Sequence, residues 1–172
     1  RYLEKAAFSG GRFNYLAHVI RVTDSWIQVL PRAGYEEVAL GLAHNLNEKI
    51  GLEEFTRIEE RDLPSSVKNQ ILLLTIDRNR ERDGVYLTQF YDKIAGESPE
   101  LLLLKAMDKL DNALCWPLCD LDRCHADIIL NYLCPRLQPL YPAVEDYLRT
   151  LTLYVLSDKT KAKFRALEGM TP

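Results

Sequence analysis

Residues 98–114 read SPELLLLKAMDKLDNAL, and this stretch decides the fold class. Ser98 can cap a helix, the proline that follows suits the first helical position, and Glu100 complements the positive end of the helix dipole. The leucines after this start signal place the carboxylate of Asp108 in an otherwise apolar stripe. The segment predicts a helix over residues 99–114 that carries one acidic group toward the interior.

The rest of the chain has the same helical pattern. Apolar residues recur at spacings of three and four, and no alternating run of β-branched residues is bounded by turns. The first series consists of Leu16, Val19, Ile20, Trp26, Ile27 and Leu30. We therefore predict an all-α protein. The further predicted helices cover residues 35–48, 52–61, 65–74, 82–95, 122–133, 142–156 and 159–167, and the prolines at positions 31, 64, 117, 135 and 139 separate them.

Length and composition predict one compact helical domain over residues 1–172. A chain of this length can bury a single core without disulfide or metal staples. Hydrophobic residues make up 47% and charged residues 27%, which is typical of a folded globular protein rather than a disordered one. Within this domain, residues 11–114 hold the motifs described below, and residues 120–167 form C-terminal helices.

Charge and hydropathy exclude two classes of partner. The net charge is −3, so the basic surface of a general nucleic-acid binder is not expected. The longest apolar runs, residues 71–74 and 101–104, are far shorter than the ~20 residues of a bilayer span.

The four cysteines lie between residues 115 and 134, a poor layout for an extracellular disulfide framework, so we expect a cytoplasmic protein. Tyrosines at positions 132, 141, 147 and 154 pack internally or form a self-association face, which leaves a homo-oligomer open.

Two histidines and the acidic residue of the 99–114 helix suggest a metal site. His18 and His44 fall near the inner faces of adjacent predicted helices, and each could bring an imidazole to Asp108. A buried carboxylate needs a cation or a set of hydrogen-bond donors. Two imidazoles and one carboxylate suit a borderline divalent ion such as Mn²⁺, Fe²⁺ or Zn²⁺.

Four short motifs occur in order along the first two thirds of the chain. They are Gly11 with Tyr15-Leu16-Ala17-His18, then Leu42-Ala43-His44-Asn45, then Leu74-Thr75-Ile76-Asp77-Arg78, and last Lys105-Ala106-Met107-Asp108-Lys109-Leu110-Asp111-Asn112. In these motifs the sequence resembles the HD-domain metal-dependent phosphohydrolases. Among them it is most similar to the RelA/SpoT-type guanosine polyphosphate pyrophosphohydrolases.

The resemblance implies a compact HD-type helical fold and a role for each motif residue. The implied metal ligands are His18, His44, Asn45 and Asp108, with Mn²⁺ as the expected ion. Glu48 would act as catalytic acid or base. The implied substrate contacts are Lys49, Arg78, Lys105 and Asn112. The substrate class is a (pyro)phosphorylated nucleotide such as guanosine tetraphosphate, or another phosphorylated small molecule.

The sequence departs from the family pattern at two positions. Asn45 stands where the family has the aspartate that follows the second histidine, so a neutral amide replaces a charged ligand. Lys49 stands where the family has an aspartate next to Glu48. These departures predict weakened metal binding and slow hydrolysis. They also keep open an inactive HD-like domain that binds a ligand or a protein partner.

The polar residues suggest two other kinds of site. Tyr15, His18, Glu48, Glu53, Glu54 and Asp108 could suit a di-iron helical bundle oxidase, but the Glu-x-x-His signature of such bundles is missing from the sequence. Cys115, Cys119, Cys124 and His125 lack the spacing of a zinc site, so structural cysteines are expected.

Overall fold

The computed structural model describes residues 15–115 and 123–157, and these residues form an all-α bundle. Its helices are α1 (Tyr15–Ile27), α2 (Tyr35–Ala43), α3 (Leu46–Ile50), α4 (Leu52–Thr56), α5 (Ser65–Leu74), α6 (Gly84–Glu97), α7 (Pro99–Leu114), α8 (Arg123–Ile128), α9 (Cys134–Leu137) and α10 (Pro142–Leu156). A 3₁₀ turn, Arg78–Arg80, lies between α5 and α6, and a π-helical turn, Ile129–Leu133, joins α8 to α9. The predicted fold class is confirmed.

Helix α7 runs through the centre of the bundle. It packs against α1, α6 and α10, and every side chain from Leu101 to Asp108 is buried. The predicted start signal is real, since Ser98 accepts a hydrogen bond from the backbone N–H of Leu101 and the proline occupies the first turn. Because α7 is enclosed on several sides, its polar side chains must find partners inside the protein.

Helices α1 and α2 pack closely side by side, and α2 also contacts α5. Gly41 makes this approach possible, since a Cβ at this position would lie 2.7 Å from Oγ1 and 2.8 Å from Cγ2 of Thr23. The backbone of α2 therefore lies directly against a buried side chain of α1. This contact brings the C-terminal end of α2 to the middle of α1.

The structure corrects the predicted helix over residues 35–48. The helix ends at Ala43, and α3 begins at Leu46 after a turn through His44 and Asn45. Nδ1 of His44 lies 2.6 Å from the carbonyl oxygen of Gly41, and this side-chain bond competes for the acceptor that a continuous helix would use. The interruption lets both residues of the turn, the buried His44 and the half-buried Asn45, approach Asp108 of α7.

Two other predicted boundaries are also corrected. Helix α4 ends at Thr56 rather than at residue 61, and the segment after it is tied to α5 because Lys68 donates to the carbonyl of Ile58. Pro135 does not separate two helices. A proline has no N–H and its ring clashes with the preceding turn, and here the π-helical turn before it lets the helical path continue through α9.

The predictions for residues 65–74, 99–114 and 142–156 match α5, α7 and α10 at both ends. The predicted helix over 159–167, together with Gly11, Pro117 and Cys119, lies outside the described residues. Among the described helices, none combines the length and the apolarity that crossing a membrane requires.

Candidate functional site

Three helical elements bring His18, His44 and Asp108 together in the interior. His18 comes from the first turn and a half of α1, His44 from the turn after α2, and Asp108 from the buried face of α7. Nε2 of His18 lies 3.2 Å from Oδ1 of Asp108, and Nε2 of His44 lies 3.7 Å from the same oxygen. Each residue offers one ligand atom, and these atoms all lie within 4.8 Å of one another. The predicted convergence of the three side chains is confirmed.

A carboxylate behind the ring orients the His18 imidazole. Nδ1 of His18 lies 2.7 Å from Oδ2 of Asp111, so this nitrogen donates away from the cluster and Nε2 faces Asp108. Burial works to lower the pKa of His18, but the hydrogen bonds to Asp108 and Asp111 outweigh it and raise the pKa above its ordinary value. Without a metal, the ring is therefore stabilised as a cation between two carboxylates.

A backbone carbonyl orients the His44 imidazole. Because the Gly41 oxygen can only accept, Nδ1 of His44 carries the proton and Nε2 faces Asp108. Among the described residues, Nε2 of His44 has no hydrogen-bond partner, although the side chain is buried. A buried ring nitrogen without a partner is costly in a folded protein. A cation seated between Nε2 and Asp108 would supply the missing partner.

Asp108 is a buried carboxylate surrounded by hydrogen-bond donors and cationic groups. Burial alone would raise its pKa, but Lys109, the two histidines and Lys105 hold the pKa well below its usual range. Nζ of Lys109 pairs with Oδ2 at 3.0 Å. Burial works to lower the pKa of Lys109, and the attraction of Asp108 raises it nonetheless. The lowered pKa keeps Asp108 in its anionic form at neutral pH.

Two amides touch the same carboxylate. Nδ2 of Asn45 lies 3.4 Å from Oδ1 of Asp108, and Nδ2 of Asn112 lies 3.2 Å from it. In this orientation the amide oxygen of Asn45 points away from Asp108, and a half-turn of the amide would present it to an ion held by the histidines. Asn112 lies one helical turn beyond Asp108, in the place predicted for a substrate contact, and part of its amide is already used.

Glu48 lies at the edge of the cluster with Arg78. Nη2 of Arg78 is 2.8 Å from Oε2 of Glu48, and Nη1 is 3.0 Å from Oε1 of Glu81. Burial works to raise the pKa of Glu48, but Lys105, Lys109 and Arg78 outweigh it and lower the pKa. The carboxyl is therefore ionised at neutral pH, which suits a general base rather than a general acid.

The two predicted lysines have different surroundings. Lys105 is buried, and its Nζ donates to the Leu74 carbonyl at 3.0 Å, so it acts on Glu48 through its charge. Lys49 is exposed, with Nζ 5.3 Å from the centre of the Tyr15 ring. The Tyr15 hydroxyl is buried without a partner among the described residues, and burial, Asp108 and Glu48 raise its pKa. The roles of Lys105 and Lys49 as substrate contacts stay predictions.

Sequence reasoning missed Asp111, Arg21 and Lys109 as members of the site. Nε of Arg21 lies 2.6 Å from Oδ1 of Asp111, which pairs with His18. Lys109 joins the same network through its ion pair with Asp108. A signal was present in the sequence, because Asp111 follows Asp108 by three residues and shares its buried helix face. The di-iron interpretation gains no support from Glu53, whose side chain is on the surface and pairs with Arg57.

The cysteines fit the expected structural role. Cys134 is buried, while Cys115 and Cys124 are half-buried, and these three described cysteines are free thiols. Burial raises the pKa of the Cys134 thiol to about 11. The cluster of His18, His44 and Asp108 is the group of possible metal ligands that the described residues contain.

Comparison of the chain with protein-family models, with curated proteins and with solved structures gives no match. The resemblance to the HD-domain phosphohydrolases therefore stays a prediction.

Proposed function

We propose that this chain is a phosphohydrolase-type domain in which His18, His44 and Asp108 hold a divalent metal ion, Mn²⁺ first, beside a site for a phosphorylated ligand. One observation supports this above all others: both imidazoles direct Nε2 at one ionised carboxylate while Nδ1 is held from behind. Metal-binding histidines are commonly fixed in this way. The set of two nitrogens and one oxygen suits a borderline ion.

Positive side chains at the edge of the cluster favour an anionic ligand. Both Arg78 and Lys49 are exposed. Arg78 pairs with Glu48, and Lys49 lies over the ring of Tyr15. Phosphate groups are recognised by such guanidinium and ammonium groups. By its resemblance, the ligand class is a (pyro)phosphorylated nucleotide, with guanosine tetraphosphate first and other phosphorylated small molecules next.

A bound divalent ion would polarise a phosphate oxygen and lower the pKa of a bound water. The chain's own residues supply the remaining chemistry. Glu48, ionised by its cationic neighbours, accepts the proton of the attacking water. Arg78 holds the Glu48 carboxylate and moves to the ligand phosphate when an anion enters. Asn112 and Lys49 contact the rest of the ligand.

Hydrolysis by the chain as it stands is slow. Asn45 adds no charge to the site, and its amide donates to Asp108 rather than offering an oxygen. The ion pair of Glu48 with Arg78 must also open before the carboxylate can act on water. These two features favour the second candidate function, a domain that binds the metal and the phosphorylated ligand without turnover.

The first test is a calorimetric titration of the metal-free protein with Mn²⁺, followed by guanosine tetraphosphate, ATP and inorganic phosphate in turn. His44→Gln should lose Mn²⁺ binding, because it removes one of three ligand atoms. His125→Gln, at a half-buried histidine of α8, is the matched control and should bind as the wild type does. Equal Mn²⁺ binding by both variants would refute the metal site.

Phosphate release separates the two candidate functions. A ligand that binds in the presence of Mn²⁺ and is released intact after long incubation identifies the binding domain. Slow release of phosphate or pyrophosphate that disappears in Glu48→Gln identifies the hydrolase.

A further inference from the structure

Asp111 lies behind the metal site, and neither the predicted ligands nor the predicted substrate contacts include it. It is buried near the end of α7 and touches three groups. Its Oδ2 accepts from Nδ1 of His18 at 2.7 Å, and its Oδ1 accepts from Nε of Arg21 at 2.6 Å. Cys115 approaches the same carboxylate at 3.8 Å. Asp111 is thus held rigidly between an exposed guanidinium and a buried imidazole.

The geometry fixes which nitrogen of His18 faces the cluster. The ring has two nitrogens, and a nitrogen that donates its hydrogen to a carboxylate behind the ring cannot present a lone pair to a cation. Since Nδ1 donates its hydrogen bond to Asp111, Nε2 faces the site, 3.2 Å from Asp108. Arg21 adds a second bond from its Nη2 at 2.9 Å, so the carboxylate cannot rotate away from the ring.

We propose that Asp111, held in place by Arg21, is the positioning residue of the metal site. Its negative charge, next to the Nδ1 side of His18, substitutes for the charge that Asn45 lacks beside His44. The inference rests on the proposed function. An imidazole that is hydrogen-bonded to an anion is a stronger electron-pair donor to a metal than one bonded to a neutral group. A carboxylate that does not touch the ion therefore compensates in part for a neutral ligand position.

Asp111→Asn is the decisive variant, because it keeps the size of the side chain and removes its charge. We expect Mn²⁺ to bind about 10–100-fold more weakly than to the wild type, the usual effect of losing such a partner. Asp92→Asn is the matched control, since it also breaks an aspartate–arginine pair, that with Arg136 at 2.8 Å, on another helix and away from either histidine of the cluster. It should leave Mn²⁺ binding unchanged.

A second measurement observes the bond between His18 and Asp111 directly in the wild type. In the metal-free wild type, the Nδ1–H proton of His18 should give a downfield NMR resonance that exchanges slowly with water, because it is bonded to a buried carboxylate. The resonance is assigned through His18→Asn and should move or vanish in Asp111→Asn. Its absence from the wild type would overturn the inference.

The outcomes separate the inference from the proposed function. If the wild type binds Mn²⁺ and Asp111→Asn binds it as tightly, the metal site stands and the role of Asp111 is refuted. If the wild type binds neither Mn²⁺ nor Zn²⁺, the proposed function fails, and Asp111 is then a structural contact only.

Discussion

Replacing Gly41 by alanine should separate α1 from α2 and disturb the metal site at the same time. A Cβ at residue 41 would lie 2.7, 2.8 and 3.0 Å from Oγ1, Cγ2 and Cβ of Thr23. Thr23 cannot move cheaply, because it is buried, β-branched and bonded through Oγ1 to the Val19 carbonyl at 2.6 Å. The helix backbones must therefore shift apart.

The magnitude follows from two opposing effects. Overpacking of a tight interior site costs about 1–3 kcal/mol, and three contacts this short belong at the upper end. Alanine stabilises a helix by about 1 kcal/mol relative to glycine, which offsets part of the loss. The net loss is about 2 kcal/mol, and for a protein of this size it lowers Tm by about 4–8 °C. Mn²⁺ should also bind more weakly, because the Gly41 carbonyl orients His44.

A double-mutant cycle and a matched control test the cause. Thr23→Ala removes the two closest atoms, so Gly41→Ala should cost much less in that background, with a coupling of about 1–2 kcal/mol. Gly96→Ala serves as the control, since a Cβ there meets nothing within 4 Å and the protein should be unchanged or slightly more stable. The assay is thermal and urea unfolding of the four proteins of the cycle and the control. Additive effects at positions 41 and 23 would refute the close-packing argument.

Three further predictions concern single positions. Asn45→Asp should raise Mn²⁺ affinity by about tenfold or more in calorimetry, because it adds a charged ligand. It should also destabilise the metal-free protein, because a second carboxylate then faces Asp108. Equal Mn²⁺ affinity of the wild type and the variant would contradict this prediction. Cys134 should resist iodoacetamide in the native protein at pH 8, because its side chain is fully buried and a thiol with a pKa of about 11 is about 0.1% thiolate there. Its labelling, followed by peptide mass spectrometry, should rise on unfolding, and rapid labelling of the native protein would contradict this. Ser98→Ala should cost about 1 kcal/mol in urea unfolding through loss of the α7 cap, and an unchanged midpoint would contradict the capping role.

The sequence was sufficient for the fold class and for the elements with strong local signals. Helix α7 has a capping serine, a proline at its start and a continuous apolar face, so both of its ends could be predicted. The break at His44 could not, because it depends on a side-chain bond to the Gly41 carbonyl and on the contact of Gly41 with Thr23. The continuation of the helix through Pro135 depends on a π-helical turn, which no local sequence pattern predicts.

The candidate site shows the same division. His18, His44 and Asp108 could be brought together from the sequence because each residue type is unusual on an apolar helix face. Asp111 was missed because its importance arises from the rotamer of His18 and from Arg21, two residues about 90 positions away. The spacing of three residues from Asp108 places Asp111 on the same helix face, but spacing alone does not reveal its long-range hydrogen bonds.

The charge balance around Asp108 leads to a last prediction. The described residues place four carboxylates, those of Asp108, Asp111, Glu48 and Glu81, against four cationic side chains, those of Arg21, Arg78, Lys105 and Lys109. These charges balance, so a divalent ion that enters this region leaves it with a net positive charge.

An anionic phosphate that enters beside the ion offsets this positive charge. The metal and the phosphorylated ligand should therefore each bind more tightly in the presence of the other. Linkage requires the two enhancements to be equal. The measurement is a Mn²⁺ titration with and without saturating nucleotide, and the reverse titration, both corrected for chelation of Mn²⁺ by the nucleotide in solution. Lys49→Met should reduce the enhancement without changing Mn²⁺ binding alone, because this exposed lysine contacts Tyr15 rather than the metal ligands. Independent binding of the two ligands would show that they occupy separate regions, and the charge argument would fail.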